Sequence, residues 1–172
     1  PWGYEVKLPA NFDTSLAGRR SKRALNDWVA RGVTRIDGTA IVPEEKQAGV
    51  LLPAGIDGPA FLVFRNFDAI YSYNAAESYA LAIATLSDRL RGGGPLVVKW
   101  PTDDPGLGRD ERKQLQQLLL ARGHAIGEAD GMISTLTRRA IVLEQQRLGM
   151  QPEDGRAGMK ILQALQEQSP TP

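Results

Sequence analysis

Residues 70–86 read IYSYNAAESYALAIATL. The second half has helical spacing, yet it is entered through Tyr71-Ser72-Tyr73-Asn74, three hydroxyl-bearing residues and an asparagine. A buried helix has no need of that polarity, which makes this entry the first candidate for chemistry. Asn74 and Glu77 have the Asn-x-x-Glu spacing of a capping box, in which the Asn side chain accepts from the Glu backbone N–H and the Glu side chain reaches back to the cap. Capping would account for both residues and would leave the tyrosines unexplained. Tyr79 can be read as a core residue on the face of Ile83 and Leu86, or as part of a site.

The other reactive residue types narrow the field. The chain has no cysteine, which excludes disulfides, thiolate nucleophiles and Cys-containing zinc sites. His124 is the single histidine, a poor basis for a multi-histidine metal site or a histidine-centred triad. Glu44-Glu45 follows Pro43 between two strand-like runs and reads as a solvated loop. Asp130-Gly131 and Asp154-Gly155 carry tight-turn chemistry, with Asp accepting local backbone N–H bonds and Gly taking positive φ. A calcium loop would need more acidic ligands at alternating positions. The basic run Arg19-Arg20-Ser21-Lys22-Arg23 reads as a solvated helix face or loop, because no aromatic interleaves it. A net charge of +1 creates no field that would select nucleic acid or an anionic membrane.

The elements that must position these residues follow from composition and periodicity. With 172 residues, 42% hydrophobic and 24% charged, the chain is long enough for one medium or two small globular domains. No run approaches the ~20 apolar residues of a membrane-spanning helix. Four short β-like runs, GYEVKL, GTAIVP, AGVLLP and AFLVF, predict a small antiparallel sheet. Between the first two, residues 15–31 predict a helix stopped at Gly32. Residues 75–91 predict a helix whose apolar face carries Tyr79, Ile83, Leu86 and Leu90. Gly92-Gly93-Gly94 and the spaced Pro95, Pro101 and Pro105 then read as an interdomain linker, with LVVKW as an extended strap. From about Leu107 a loop-then-helix plan repeats weakly and predicts three short helices around one core. The fold class is therefore α+β: a small antiparallel β subdomain with flanking helices, followed by an all-α three-helix module.

Leu115-Gln116, Leu119, Gly123, Asp130-Gly131, Thr137, Ala140-Ile141, Gln145, Gly149, Asp154-Gly155, Gly158 and Leu162 resemble the peptidoglycan-binding domain, a three-helix module of many bacterial cell-wall enzymes. Ser134 stands where that family usually has glycine, and Glu144 where an aromatic residue usually precedes the Gln. Upstream, PWGYEVKLPANFD, VLLPAGIDGPAFLVFRNFDAIYSYN and YNAAESYALAI resemble the end of the catalytic region of B-type lytic murein transglycosylases. WPTDDPGLGRDE resembles that family's link to its binding module.

The resemblance implies a division into residues 1–91, the C-terminal part of the catalytic region; 92–108, a linker; and 109–168, the peptidoglycan-binding domain. It implies a lyase reaction in which the bond between N-acetylmuramic acid and N-acetylglucosamine is cleaved without water, leaving a 1,6-anhydro sugar. One glutamic acid protonates the leaving oxygen and then takes the proton of the sugar's 6-hydroxyl. No carboxylate here matches that residue, so the resemblance implies that it lies upstream of Pro1 and that this segment contains no catalytic residue. It also implies that Tyr73, Asn74 and Tyr79 line the sugar cleft, an aromatic plane covering a pyranose and phenol and amide groups bonding to its substituents. No cofactor or metal is implied. The implied partners are glycan strands, stem peptides and the upstream α-helical part of the same protein, with no nucleic acid and no transmembrane segment. The implied compartment is the periplasm, with outer-membrane association if the parent is lipidated. The alternative reading is a peptidoglycan-binding protein without chemistry, whose front half is only a scaffold.

Overall fold

The computed structural model describes residues 1–44 and 46–168. It divides into two compact units, Pro1–Trp100 and Pro101–Pro172, so the stretch 92–108 is shared between them.

Unit 1 is built on five antiparallel strands, β1 (Gly3–Lys7), β2 (Arg23–Ala24), β3 (Thr34–Arg35), β4 (Gln47–Leu51) and β5 (Ala60–Val63), in the order β2-β4-β5-β1-β3. Side chains alternate across a strand, and in β5 this sends Ala60 and Leu62 into one core and Phe61 and Val63 into another. Both faces of the sheet are therefore covered. The first core closes over α1 (Leu25–Ala30), whose Trp28 is fully buried and donates its indole N–H to the Ala48 carbonyl at 2.8 Å. The second contains Trp2, Phe61 and Phe67 and closes under α2 (Arg65–Tyr71) and α3 (Glu77–Leu90).

Several expectations are corrected here. Residues 15–31 are not one helix: a 3-10 turn over Thr14–Leu16 ends where Gly18, at φ 138°, donates its N–H to Val50. Arg23 and Ala24 then pair with β4, and helix resumes only at Leu25. The run GTAIVP is not a strand, because the Asp37 carboxylate accepts the Thr39 N–H at 2.9 Å and its hydroxyl at 2.6 Å, folding the backbone into a turn. The face of α3 is also reversed. Ala80, Leu81 and Ala84 are buried, whereas Tyr79, Ile83, Leu86 and Leu90 are 40%, 40%, 53% and 81% exposed. Ala80, Leu81 and Ala84 join the second core, where α3 packs beside α2, and the large residues of the other face stay exposed.

The strap is tied down within unit 1. Glu5 on β1 accepts the backbone N–H groups of Val97 (2.9 Å) and Val98 (2.8 Å), and Leu96 packs against the second core. The Glu5 carboxylate thereby supplies the backbone pairing that an extended segment lacks.

Unit 2 packs α4 (Arg109–Ala121), α5 (Thr135–Leu148) and α6 (Met159–Glu167) around Leu115, Leu119, Ile141, Ile161 and Leu165, each at most 2% exposed. Burial of such a side chain contributes about 1.5–3 kcal/mol. The start of α4 is closed by Glu111, which accepts the Gly108 N–H at 2.7 Å. Among the described residues no helix is long and apolar enough to cross a membrane.

Candidate functional site

The polar stretch Tyr71-Ser72-Tyr73-Asn74 is an exit from one helix before it is an entry to another. α2 ends at Tyr71, whose carbonyl accepts the N–H groups of Asn74 (3.3 Å) and Ala75 (2.8 Å). Ser72 turns its hydroxyl back onto the Ala69 carbonyl at 2.7 Å. Ala75 then takes φ 48°, the left-handed region that a residue with a Cβ enters at about 1–2 kcal/mol. That reversal moves the start of α3 to Glu77, with Ala76 as its N-cap and no side-chain capping bond. The predicted Asn74–Glu77 capping box is therefore absent: the left-handed residue separates Asn74 from the first turn it was to cap.

Its consequence is a freed set of polar groups. Tyr73 is 89% exposed, Asn74 is exposed and Tyr79 is 40% exposed. Neither phenol nor the Asn74 amide makes a hydrogen bond to another described residue. Tyr79 does not belong to the core of unit 1. Tyr73 and Asn74 are presented by one turn, and Tyr79 by the first turn of α3, next to the exposed stripe of Ile83, Leu86 and Leu90.

The turn is held from behind by residues that the sequence suggested were solvated. Arg19 and Lys22 reach across to Asp68 on α2 at 2.8 and 2.6 Å, and the Arg19 guanidinium lies 3.8 Å from the centre of the Tyr71 ring. Burial pushes the Asp68 carboxyl up, but the hydrogen bonds from Lys22 and Arg19 outweigh it and hold the pKa below the ordinary value. Asp68 stays ionised and fastens the last turns of α2. Nothing in the bare spacing of the basic run reveals this, because its partner lies 49 residues away from Arg19. Glu44 is exposed, and Glu45 lies outside the described residues.

In unit 2 the two Asp-Gly turns are held in the same way. The Gly131 N–H donates to Gln116 Oε1 (2.7 Å), and the Gly155 N–H to Gln145 Oε1 (2.9 Å). Asp130 accepts from Met132 N–H, and Asp154 from Arg156 N–H. Gly131 and Gly155 sit at φ 82° and 71°, and a Cβ would meet Arg109 and Arg138 respectively at under 3 Å. The buried Gln116 and Gln145 thus form a repeated clamp. Its signal in the sequence is a polar amide beside apolar or helix-forming neighbours, Leu115-Gln116 and Glu144-Gln145, each followed by an Asp-Gly turn.

The two family departures also have local explanations. Ser134 caps α5, its hydroxyl accepting the Thr137 N–H at 3.1 Å. Glu144 is 4% exposed and accepts from His124 Nε2 (2.7 Å), which fixes the proton on that nitrogen, and from Arg147 Nε and Nη2 at 2.9 and 2.7 Å. The lone histidine is therefore engaged with a buried carboxylate. Burial raises the Glu144 pKa, and the bonds from Arg147 and His124 overcome this to leave it lowered.

Comparison with known proteins finds one family model within each unit. The model of the transglycosylase SLT domain matches residues 1–88, and that of the peptidoglycan binding domain matches residues 108–165. No curated protein matches the chain. Among solved structures, SltB3 from Pseudomonas aeruginosa in complex with NAG-anhNAM-pentapeptide is 45% identical, with a TM-score of 0.86. SltB3 in complex with NAG-NAM-pentapeptide is 46% identical with the same TM-score. Both matches cover 96% of this chain and 44% of the SltB3 chain, so the chain spans less than half of the length of that protein. With the domain match running over half its length, the chain belongs to the transglycosylase SLT domain family.

Proposed function

We propose that the chain is the C-terminal portion of a lytic murein transglycosylase, which cleaves the β-1,4 bond between N-acetylmuramic acid and N-acetylglucosamine to a 1,6-anhydro product. The observation that carries this is the 45% identity over 96% of the chain to SltB3, solved with an anhydro-sugar pentapeptide. That match runs through both units, which favours the enzyme over a binder with an inert front half.

In this reading unit 1 supplies one wall of the saccharide cleft. Tyr73 offers an exposed aromatic plane and a free phenol, Asn74 a free amide, and Tyr79 a second phenol on α3. The absence of described partners for these groups supports the role, since a ligand's hydroxyl and acetamido groups can take the bonds that the protein leaves open. The catalytic glutamic acid belongs to the part of the parent beyond this chain. The same part would cover Ile83, Leu86 and Leu90, because a helix apolar on two opposite faces is a buried helix. Unit 2 holds the enzyme on peptidoglycan, and the compartment is the periplasm, with outer-membrane association if the parent is lipidated. Residues 1–91, 92–108 and 109–168 remain our proposed division by role, although the front of the linker is strapped to unit 1.

The test is separation of binding from turnover. The 172-residue chain should be retained on insoluble peptidoglycan and release no anhydro-muropeptides, whereas the intact parent should do both. Turnover by the chain alone, lost on mutating one of its own glutamates, overturns this reading.

A further inference from the structure

A cavity of about 290 Å³ lies between α3 and the strap. Its walls include Leu81 and Ala82 from α3, and Leu96 and the indole of Trp100 from the strap. Glu77, Ser78 and Thr85 are the polar residues of its lining. The Thr85 hydroxyl spends its proton on the Leu81 carbonyl at 2.8 Å and so faces other groups as an acceptor. Glu77 is partly buried and makes no hydrogen bond or ion pair with any described residue. Arg19 interacts with it electrostatically but is hydrogen-bonded to Asp68 and stacked on the Tyr71 ring. The site thus combines a carboxylate that no described residue hydrogen-bonds, hydroxyl residues, apolar walls and Trp100, which is 44% exposed.

We propose that this cavity binds a primary ammonium carried on an aliphatic stem, the side chain of the diamino acid in a peptidoglycan stem peptide. Charge complementarity selects it. An ammonium donates three hydrogen bonds, is paired by Glu77 and is attracted to an indole face, while its methylenes lie against the leucines. This rests on the peptidoglycan reading above and gives its stem-peptide partner a place on unit 1.

The probe is the tetrapeptide L-Ala-γ-D-Glu-L-Lys-D-Ala, titrated into the 172-residue chain while tryptophan fluorescence is followed. Trp28 is fully buried and Trp2 is 9% exposed, so quenching reports Trp100. The peptide should quench, and its affinity should fall about tenfold or more when the lysine is Nε-acetylated or when the chain carries Glu77→Gln. Trp100→Ala, read by calorimetry, should weaken it as well. The acetylated peptide leaves the protein unaltered, so its result stands even if a variant folds poorly. Equal binding of the acetylated peptide, or quenching by an N-acetylglucosamine tetramer in place of the peptide, overturns the proposal. If the peptide fails to bind while the chain is retained on insoluble peptidoglycan, the ammonium site is wrong and the family reading stands. Failure of both binding experiments defeats both.

Discussion

Glu144→Ala should unfold unit 2 selectively. The carboxylate is almost completely buried and is met by His124 at 2.7 Å and by Arg147 at 2.7 and 2.9 Å, with Arg122 3.8 Å away. Breaking a buried pair by removing one partner costs about 3–5 kcal/mol, since the remaining charge is left uncompensated. The Arg147 side chain is 48% exposed and can return to water, so the lower end applies, about 3 kcal/mol. For a unit of this size that corresponds to roughly 12–24 °C in melting temperature. The sequence supplies its own control. All three tryptophans, Trp2, Trp28 and Trp100, lie in unit 1, so fluorescence follows unit 1 while helical circular dichroism follows both. The variant should lose a helical transition at low temperature, keep the tryptophan transition and fail to bind insoluble peptidoglycan. A pH series adds a sign. The Glu144 pKa is lowered on folding, so its stabilisation is complete above the ordinary carboxylate value near ~4.3 and is lost as pH falls through the lowered folded value. Glu144→Gln removes this titration, and its acid limb should be flatter than that of the native chain. A Glu144→Ala variant that melts within about 0.5 kcal/mol of the native chain refutes the argument that this cluster holds unit 2 together.

Other perturbations separate binding from folding. Asn74→Ala in the intact parent should lower anhydro-muropeptide release tenfold or more, roughly the effect of one lost positioning bond, yet shift stability by less than about 0.5 kcal/mol because no described side-chain bond is lost; parallel loss of both would make the turn structural only. On α3, Leu81→Ala should destabilise the chain by about 2–5 kcal/mol, while Leu86→Lys should leave this chain within about 0.5 kcal/mol and destabilise the intact parent, as compared by thermal melts of the two proteins. Glu5→Gln weakens the acceptor of two backbone N–H groups at Val97 and Val98. Limited proteolysis should then cut faster near the strap, and an unchanged cutting rate would show that the strap is held by other contacts.

The broad architecture was legible because it rests on short-range signals. Alternating runs around Gly3, Gly49 and Phe61 gave three of the strands, and Asp-Gly turns with i, i+4 leucines gave the three-helix unit. What failed depended on distant partners. Arg23 and Ala24 are a strand only because β4 lies beside them, and the basic run folds inward only because Asp68 is there. The face of α3 misled for another reason: Tyr79, Ile83, Leu86 and Leu90 form a clear helical stripe, yet it is not the stripe that enters the core of unit 1. Periodicity identifies an apolar face without saying what covers it. The capping box failed at a single residue, since an alanine at φ 48° is conformationally improbable and no spacing rule anticipates it. Tyr73, Asn74 and Tyr79 were singled out by polarity out of place on a helix, and their exposure keeps them as the proposed cleft residues.

The most direct measurement is mass-spectrometric detection of 1,6-anhydro-muropeptides released from purified sacculi by the intact parent, by the parent lacking the residues of this chain, and by this chain alone. The account predicts release by the intact parent only, with this chain bound to the sacculi but silent. Undiminished release by the truncated parent would contradict it, because unit 1 would then form no part of the saccharide cleft.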